Sequence, residues 1–559
     1  MAELAEGTTA DAPAERASLR TVVAASAAGT TFEWCDFFVF GSLTGVISKT
    51  FFSGLPETAG IAAALALFGA GFAFRPIGAL VFGRIGDRVG RKGAFLVTVM
   101  LMGGATVAIG LLPTYAQAGL IAPALLVLMR ILQGFALGGE YGGAAIYVAE
   151  HAPDGARGRS TSWIQTSAAF GLFAALLVIL LTRLVLGKLF GPTAFDAWGW
   201  RIPFLFSAGL LVISVFMRLK LSESPAFAKM KAEGNESEAP YAEAFGQWKN
   251  LKVVLIALLA MMFAQGAVWY TTFFYVQTFI EKFLKVDPTI INGLMMAAVA
   301  VSAPLYVFFG WFSDKVGRKP VMLFGMTLML VAYFPGFHML AQTLNPALAE
   351  AVARNPVVVI ADPADCSVQF DPVGKASFTS SCDIAKSTLA NAGVSYSNQA
   401  GPAGVPAMVR VGLATVPSMS ASGLPKDVGK AVKSAVETRI KEALVRSGYP
   451  AKADRGRMNL PAAFGVLLVF VVAATALFGP IAACLVELFP TRIRYTAMSL
   501  PYHIGTGWVG GFVPFTAFAI VASVGNIYSG LWYPFAFTAI SVVTCLLFLP
   551  ETRHRSLDQ

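Results

Sequence analysis

Apolar runs long enough to cross a bilayer recur twelve times along this chain, and few folds other than a bundle of membrane-spanning helices can absorb them. The windows are 21–48, 59–82, 94–112, 119–149, 161–185, 201–218, 251–279, 288–310, 321–341, 461–487, 498–521 and 531–549. Charged residues make up 13% of the chain, against roughly 25% in soluble domains. That deficit excludes a large soluble protein with buried helices. The expected class is an all-α polytopic membrane protein with twelve transmembrane helices.

The net charge of +10 does not point to nucleic acid. Its basic residues fall in short loops between apolar runs, which is the pattern that orients membrane proteins with such loops in the cytosol. Arg84, Arg88, Arg91 and Lys92 share a side with Arg157 and Arg159, with Lys315, Arg318 and Lys319, and with Arg492 and Arg494. Arg218 and Lys220, at the linker, and Arg553 and Arg555 agree with them. An even number of spans then places both termini in the cytosol. Residues 1–20 carry Glu3, Glu6, Asp11 and Glu15 with no apolar core, so they read as a cytosolic tail and not as a secretory signal.

The chain repeats itself. Gly83-Arg-Ile-Gly-Asp87-Arg88-Val-Gly90-Arg91-Lys92 returns as Gly310-Trp-Phe-Ser-Asp314-Lys315-Val-Gly317-Arg318-Lys319. Glu150-His-Ala-Pro-Asp-Gly-Ala-Arg157 returns as Glu487-Leu-Phe-Pro-Thr-Arg-Ile-Arg494, and Glu223-Ser-Pro as Glu551-Thr-Arg. The expected organisation is a tail (1–20), a six-helix half (21–218), a cytosolic linker (219–250), a second six-helix half (251–549) and a tail (550–559). Two related membrane halves are most simply a transporter that rocks between two faces. In the repeated loops, Gly83 and Gly310 permit close helix approach. Asp87 and Asp314 can face the N-terminus of the next helix and pair with arginine. Gly83, Asp87, Arg88, Arg91, Gly310, Asp314, Lys315 and Arg318 are therefore expected to hold the cytosolic gate.

The offset between the halves jumps after the ninth span, which marks an insertion at 342–460 outside the cytosol. Asp427 to Arg446 has helical periodicity, so a small cap domain is expected there, with a largely disordered loop as the alternative. Cys366 and Cys382 are candidates for a disulfide, which an oxidising compartment permits. No metal-ligand spacing, no ATP-binding loop and no set of catalytic groups is present, so neither enzyme, metal site nor cofactor is expected.

Polar groups inside spans are costly unless paired or hydrated, so each is a functional candidate. Glu33, Asp36 and Glu140 are candidates for proton coupling. Arg75, Arg130, Gln133, Gln265, Tyr270 and His503 are candidates for substrate contact. The two arginines could neutralise the three acids, or offer their guanidinium forks to a substrate carboxylate.

These motifs resemble the major facilitator superfamily and, within it, the metabolite:proton symporters. The narrower marks are Gly29-Thr-Thr-Phe-Glu33-Trp34-Cys-Asp36-Phe37, Phe74-Arg75-Pro76-Ile-Gly78, Arg130-Ile-Leu-Gln133-Gly134 through Glu140-Tyr-Gly142-Gly143, Trp198-Gly-Trp-Arg201 and Glu223-Ser-Pro-Ala-Phe227. The resemblance implies the major facilitator fold, with Glu33, Asp36, Arg75, Arg130 and Glu140 as its polar core. It also implies proton-coupled uptake of a small organic acid, or of a zwitterion such as proline or betaine. Thr31 and Cys35 stand where members of that family often carry Asn and Tyr, so substrate is not inherited from any one of them. The expected partners are the solute, protons and membrane lipid, with a functional monomer in a bacterial-type cytoplasmic membrane. Proton-driven efflux, and ligand sensing through the insertion, are the competing expectations.

Overall fold

A computed structural model describes residues 19–53, 67, 71–219, 223–367 and 378–557. Ten of its helices are long and apolar enough to cross a membrane. They are α3 (Arg91–Leu111), α4 (Ile121–His151), α5 (Arg157–Phe190), α6 (Arg201–Leu219), α7 (Trp248–Lys282), α8 (Pro288–Val316), α9 (Arg318–Leu344), α10 (Leu460–Leu488), α11 (Thr491–Val521) and α12 (Ser529–Phe548). Two further helices lie in the first two windows expected from the sequence. Helix α1 (Leu19–Ser42) carries the first. It ends where the expected window 21–48 continues: a break at Leu43 starts a separate helix, Thr44–Phe51. There the Thr44 hydroxyl turns back to donate to the Gly41 carbonyl at 2.7 Å. Helix α2 (Arg75–Arg88) begins in the later part of the second window, 59–82. Residues 59–66 and 68–70 of that window, like residues 1–18 of the tail, 220–222 of the linker and 558–559, lie outside the described residues.

The halves meet through two equivalent contacts. Helix α2 of the first half packs on α11 of the second, and α8 of the second packs on α5 of the first. Glycine makes both possible. A side chain at Gly83 would start 2.8 Å from the Thr496 backbone, and one at Gly310 would start 2.5 Å from the Gly158 carbonyl. Near the middle of the membrane α7 and α11 lose regular α-helical pitch. Leu258–Met262, Thr271–Tyr275 and Ile504–Gly510 are wider π-turns, a feature that recurs at functional sites.

The membrane portion is all-α, but the insertion is not. It folds as a four-stranded sheet in the order β2-β1-β3-β4, from β1 (Val357–Ala361), β2 (Tyr396–Ala400), β3 (Met408–Val411) and β4 (Ala414–Pro417). The β-branched run Val357-Val-Val-Ile360 is the local reason for the first strand. The helix Ser381–Asn391 crosses between the parallel strands β1 and β2. Gly412, at φ +56, sits in the tight connection from β3 to β4. A second helix runs Lys426–Arg446. Cys366 and Cys382 are disulfide-bonded. The hydrogen bonds that fasten the insertion run to the second half. Tyr396 N–H donates to the Gly525 carbonyl at 2.6 Å, Lys285 Nζ to the Asn391 carbonyl at 2.7 Å, and Asn459 N–H to the Thr343 carbonyl at 2.8 Å.

Candidate transport site and gate

The repeated loops close one face of the molecule with the same construction used twice. Asp87 accepts from Tyr495 N–H at 3.1 Å and Thr496 N–H at 2.8 Å. Asp314 accepts from Gly158 N–H at 2.8 Å and Arg159 N–H at 2.7 Å. Each aspartate thus caps a helix of the opposite half, not the next helix in its own half as the sequence suggests. The reason is geometric: the free N–H groups at the start of α11 and α5 point across the interface, where a buried carboxylate satisfies them. Each aspartate also pairs with the arginine four residues on, Asp87 with Arg91 and Asp314 with Arg318.

Further carboxylates complete the closure. Glu150 accepts from Arg494 at 2.5 Å, again across the halves, and Glu487 accepts from Arg318 at 3.1 Å. Glu223 accepts from Arg91 N–H at 3.2 Å, and Glu551 from Arg318 N–H at 2.9 Å, so each caps the helix after a repeated loop. Gly90 and Gly317 bend the chain into those caps at φ +138 and +112, which a side chain would resist. Two expected gate residues do not join in. Arg88 and Lys315 are exposed, and Lys315 lies over the Trp311 ring at 4.2 Å.

Glu33, Asp36 and Glu140 come together inside the first half. Their cation is Arg218, from the end of α6. Its Nη2 donates to Glu33 at 3.0 Å and to Glu140 at 3.2 Å, and its guanidinium lies 3.7 Å from the Phe95 ring centroid. Asp36, one turn on, accepts from the Ser207 hydroxyl at 2.5 Å. A cavity of about 10 Å³ touches both Glu33 and Asp36. In the sequence Arg218 reads as an orienting charge beside a basic linker. Its position at the end of an apolar run is the signal the sequence offers.

Neutralisation of the acids by Arg75 and Arg130 is therefore not what the structure shows. Arg130 donates to Gln133 Oε1 at 2.8 Å, and Gln133 donates to Thr106 Oγ1 at 2.7 Å. Arg75 has no carboxylate partner among the described residues, and its Nε and Nη2 lack hydrogen-bond partners. It stands in a nest of rings, 4.3 Å from the Phe72 centroid, 5.1 Å from Phe37 and 6.0 Å from Trp34. The second half supplies the facing wall. Tyr270 packs on Phe72 at 5.8 Å, Trp269 faces Trp34 at 6.2 Å, and Tyr502 stacks on Tyr141 at 3.7 Å. His503 is buried edge-on to Tyr502 at 5.0 Å. Gln265 is buried on α7 with an unpartnered Oε1. The sequence candidates thus divide into an acidic cluster within the first half and an arginine–aromatic centre between the halves.

Cross-capped helix ends on one face, buried acids and an arginine–aromatic centre deep among apolar helices are the build of a membrane transporter of the major facilitator class. The chain matches the family model described as sugar (and other) transporter over residues 21–243, 226–353 and 448–559, and it belongs to that family. The unmatched stretch falls in the insertion. The chain is 34% identical over 326 residues to the ectoine/proline transporter of Corynebacterium glutamicum, and 33% identical over 328 residues to the proline/betaine transporter of Escherichia coli K12. Those matches cover 57% of this chain, and 65% and 64% of the two relatives, just under two thirds of their length. Among solved structures, a proton:xylose symporter bound to 6-bromo-6-deoxy-D-glucose superposes with a TM-score of 0.64 at 15% identity, over 97% of this chain and 98% of that one. At that identity it shares the fold.

Proposed function

We propose that this protein is a proton-coupled symporter of a small zwitterionic solute, working by alternating access in a bacterial-type cytoplasmic membrane. The observation that carries the substrate class is Arg75, a buried guanidinium without a carboxylate among the described residues, set among aromatic rings where the halves meet. An unpaired cation at that depth is costly unless a ligand supplies the anion. A substrate carboxylate fits its fork, and the surrounding rings suit an ammonium or methylated-amine end. The relatives named for proline, betaine and ectoine support the same choice, and it displaces the organic acid that the sequence favoured. An organic acid remains the second reading, since it too would satisfy Arg75.

The coupling site in this reading is the Glu33–Arg218–Glu140 cluster with Asp36. Two acids share one cation there, and binding one proton balances the charge inside the bilayer. The gate of Asp87, Arg91, Asp314 and Arg318 then lies on the cytosolic face, and the insertion outside.

Proteoliposomes carrying a proton gradient test the proposal with labelled glycine betaine, proline, ectoine, citrate, 2-oxoglutarate and shikimate. Accumulation of a zwitterion is expected, abolished by a protonophore. Arg75→Lys is expected to lower uptake efficiency about 100-fold, or about 3 kcal/mol of lost recognition. Glu33→Gln or Asp36→Asn is expected to leave exchange but remove proton-driven accumulation. Accumulation of citrate and not betaine would overturn the zwitterion, and gradient-independent transport would overturn the coupling.

A further inference from the structure

Tyr495 is the residue at which gate and acidic cluster meet. It opens α11 and so belongs to the second half, but its fully buried ring lies within the first. Its N–H donates to Asp87, and its hydroxyl donates to the Gly139 carbonyl. The ring fills a socket made by glycines on α2 and α4. A side chain at Gly142 would start 2.9 Å from the ring, and one at Gly143 would start 2.7 Å from the phenol oxygen. One at Gly86 would start inside the ring itself. A residue larger than glycine at any of the three would displace the tyrosine.

The depth of this socket matters. Along α4, Glu140 lies one residue past Gly139, and Gly142, Gly143 and then Glu150 follow toward the gate. The ring thus stands at the level of Glu140 and on its gate side, within electrostatic reach of Arg218 and Glu33. Asp87 holds the same residue by its backbone N–H, which anchors the base of the ring at the gate.

We propose that Tyr495 is a proton plug. Seated among Gly86, Gly142 and Gly143, it seals the Glu33–Arg218–Glu140 cluster from water on the gate face. Parting of the halves withdraws it and lets a carboxyl O–H of the cluster break, its proton passing to entering water. The proton step rests on the coupling role given to that cluster above; the seal itself does not. The glycines of α4 thereby acquire a specific purpose: they make room for a ring from the opposite half.

Carboxyl labelling of the purified protein in nanodiscs at pH 6, with a water-soluble carbodiimide and glycine ethyl ester, reads the seal without any substrate. Peptide masses report modification at Glu33 and Glu140. Tyr495→Ala is expected to label at least tenfold faster than the parent, and Tyr495→Phe, which keeps the ring, at the parental rate. Gly142→Ala breaches the seal from the other wall and is expected to label several-fold faster, so a poorly folded Tyr495→Ala does not end the test. Equal rates in the parent, Tyr495→Ala and Gly142→Ala would overturn the plug, as would a parent that labels as fast as a solvent-exposed carboxylate. Proton entry into liposomes, followed with a trapped pH dye and no solute, separates the two claims. Faster labelling with faster proton entry supports both. Faster labelling without proton entry keeps the seal and refutes proton passage through the cluster.

Discussion

Arg218 shows how much one buried residue can carry. It is the one cation paired with Glu33 and Glu140 among the described residues, and almost none of its surface is exposed. Removing one partner of a buried ion pair costs about 3–5 kcal/mol, because the charge left behind has no compensation. Arg218→Gln is therefore expected to lower the melting temperature of the purified protein markedly. Adding Glu140→Gln should recover part of the loss, since it removes one uncompensated acid. A single variant that melts like the parent would show that the cluster does not bear on stability. Glu33, Asp36 and Glu140 were legible as intramembrane acids from the sequence. Their partner was not, because spacing along a chain does not tell which of three arginines reaches them.

At the scale of helices the same contact is built twice, α2 on α11 and α8 on α5, with an aspartate of one half capping a helix of the other. Equivalent parts should have equivalent effects. Asp87→Asn and Asp314→Asn each remove a charge that accepts two N–H groups and pairs with arginine. Each is expected to shift the balance between shut and open gate at least tenfold toward open, about 1.4 kcal/mol. Spin-label distances across the gate face would measure it. A shift confined to one of the two would mean that the repeats no longer act as equals. The repeated loop was plain in the sequence, as was its glycine at the helix crossing. That its aspartate caps across the interface was not, because a cap is satisfied by whichever free N–H groups the packing brings near.

Taken whole, the molecule is two halves with an extra α/β domain fastened to the second one, at Lys285, Thr343 and Gly525. The domain is expected to move with the second half as the gate opens. Its disulfide joins the segment after β1 to the helix Ser381–Asn391. Replacing both cysteines by serine should destabilise the domain by about 2–4 kcal/mol. Hydrogen exchange would then speed up in β1 and β3 and remain unchanged in α1 to α6. Faster exchange in the first half would show that the domain supports both halves. The helix Lys426–Arg446 was visible as periodicity, whereas the sheet was not anticipated. Short strands of four or five residues give little pattern, and their pairing depends on distant partners, as with Val357 and Val411.

The sequence by itself determined the membrane class and the repeated motifs, and it singled out the polar side chains that the fold buries. Those follow from hydropathy, charge placement and repetition, all of which act locally or along the chain. Only the tertiary structure decided which charges pair. It assigned Arg218 to the acids, left Arg75 without a carboxylate among the described residues, and seated Tyr495 of one half among the glycines of the other. The physical reason is that a buried charge is stabilised by the nearest complementary group in space. In a protein of two docked halves, that group often stands hundreds of residues away.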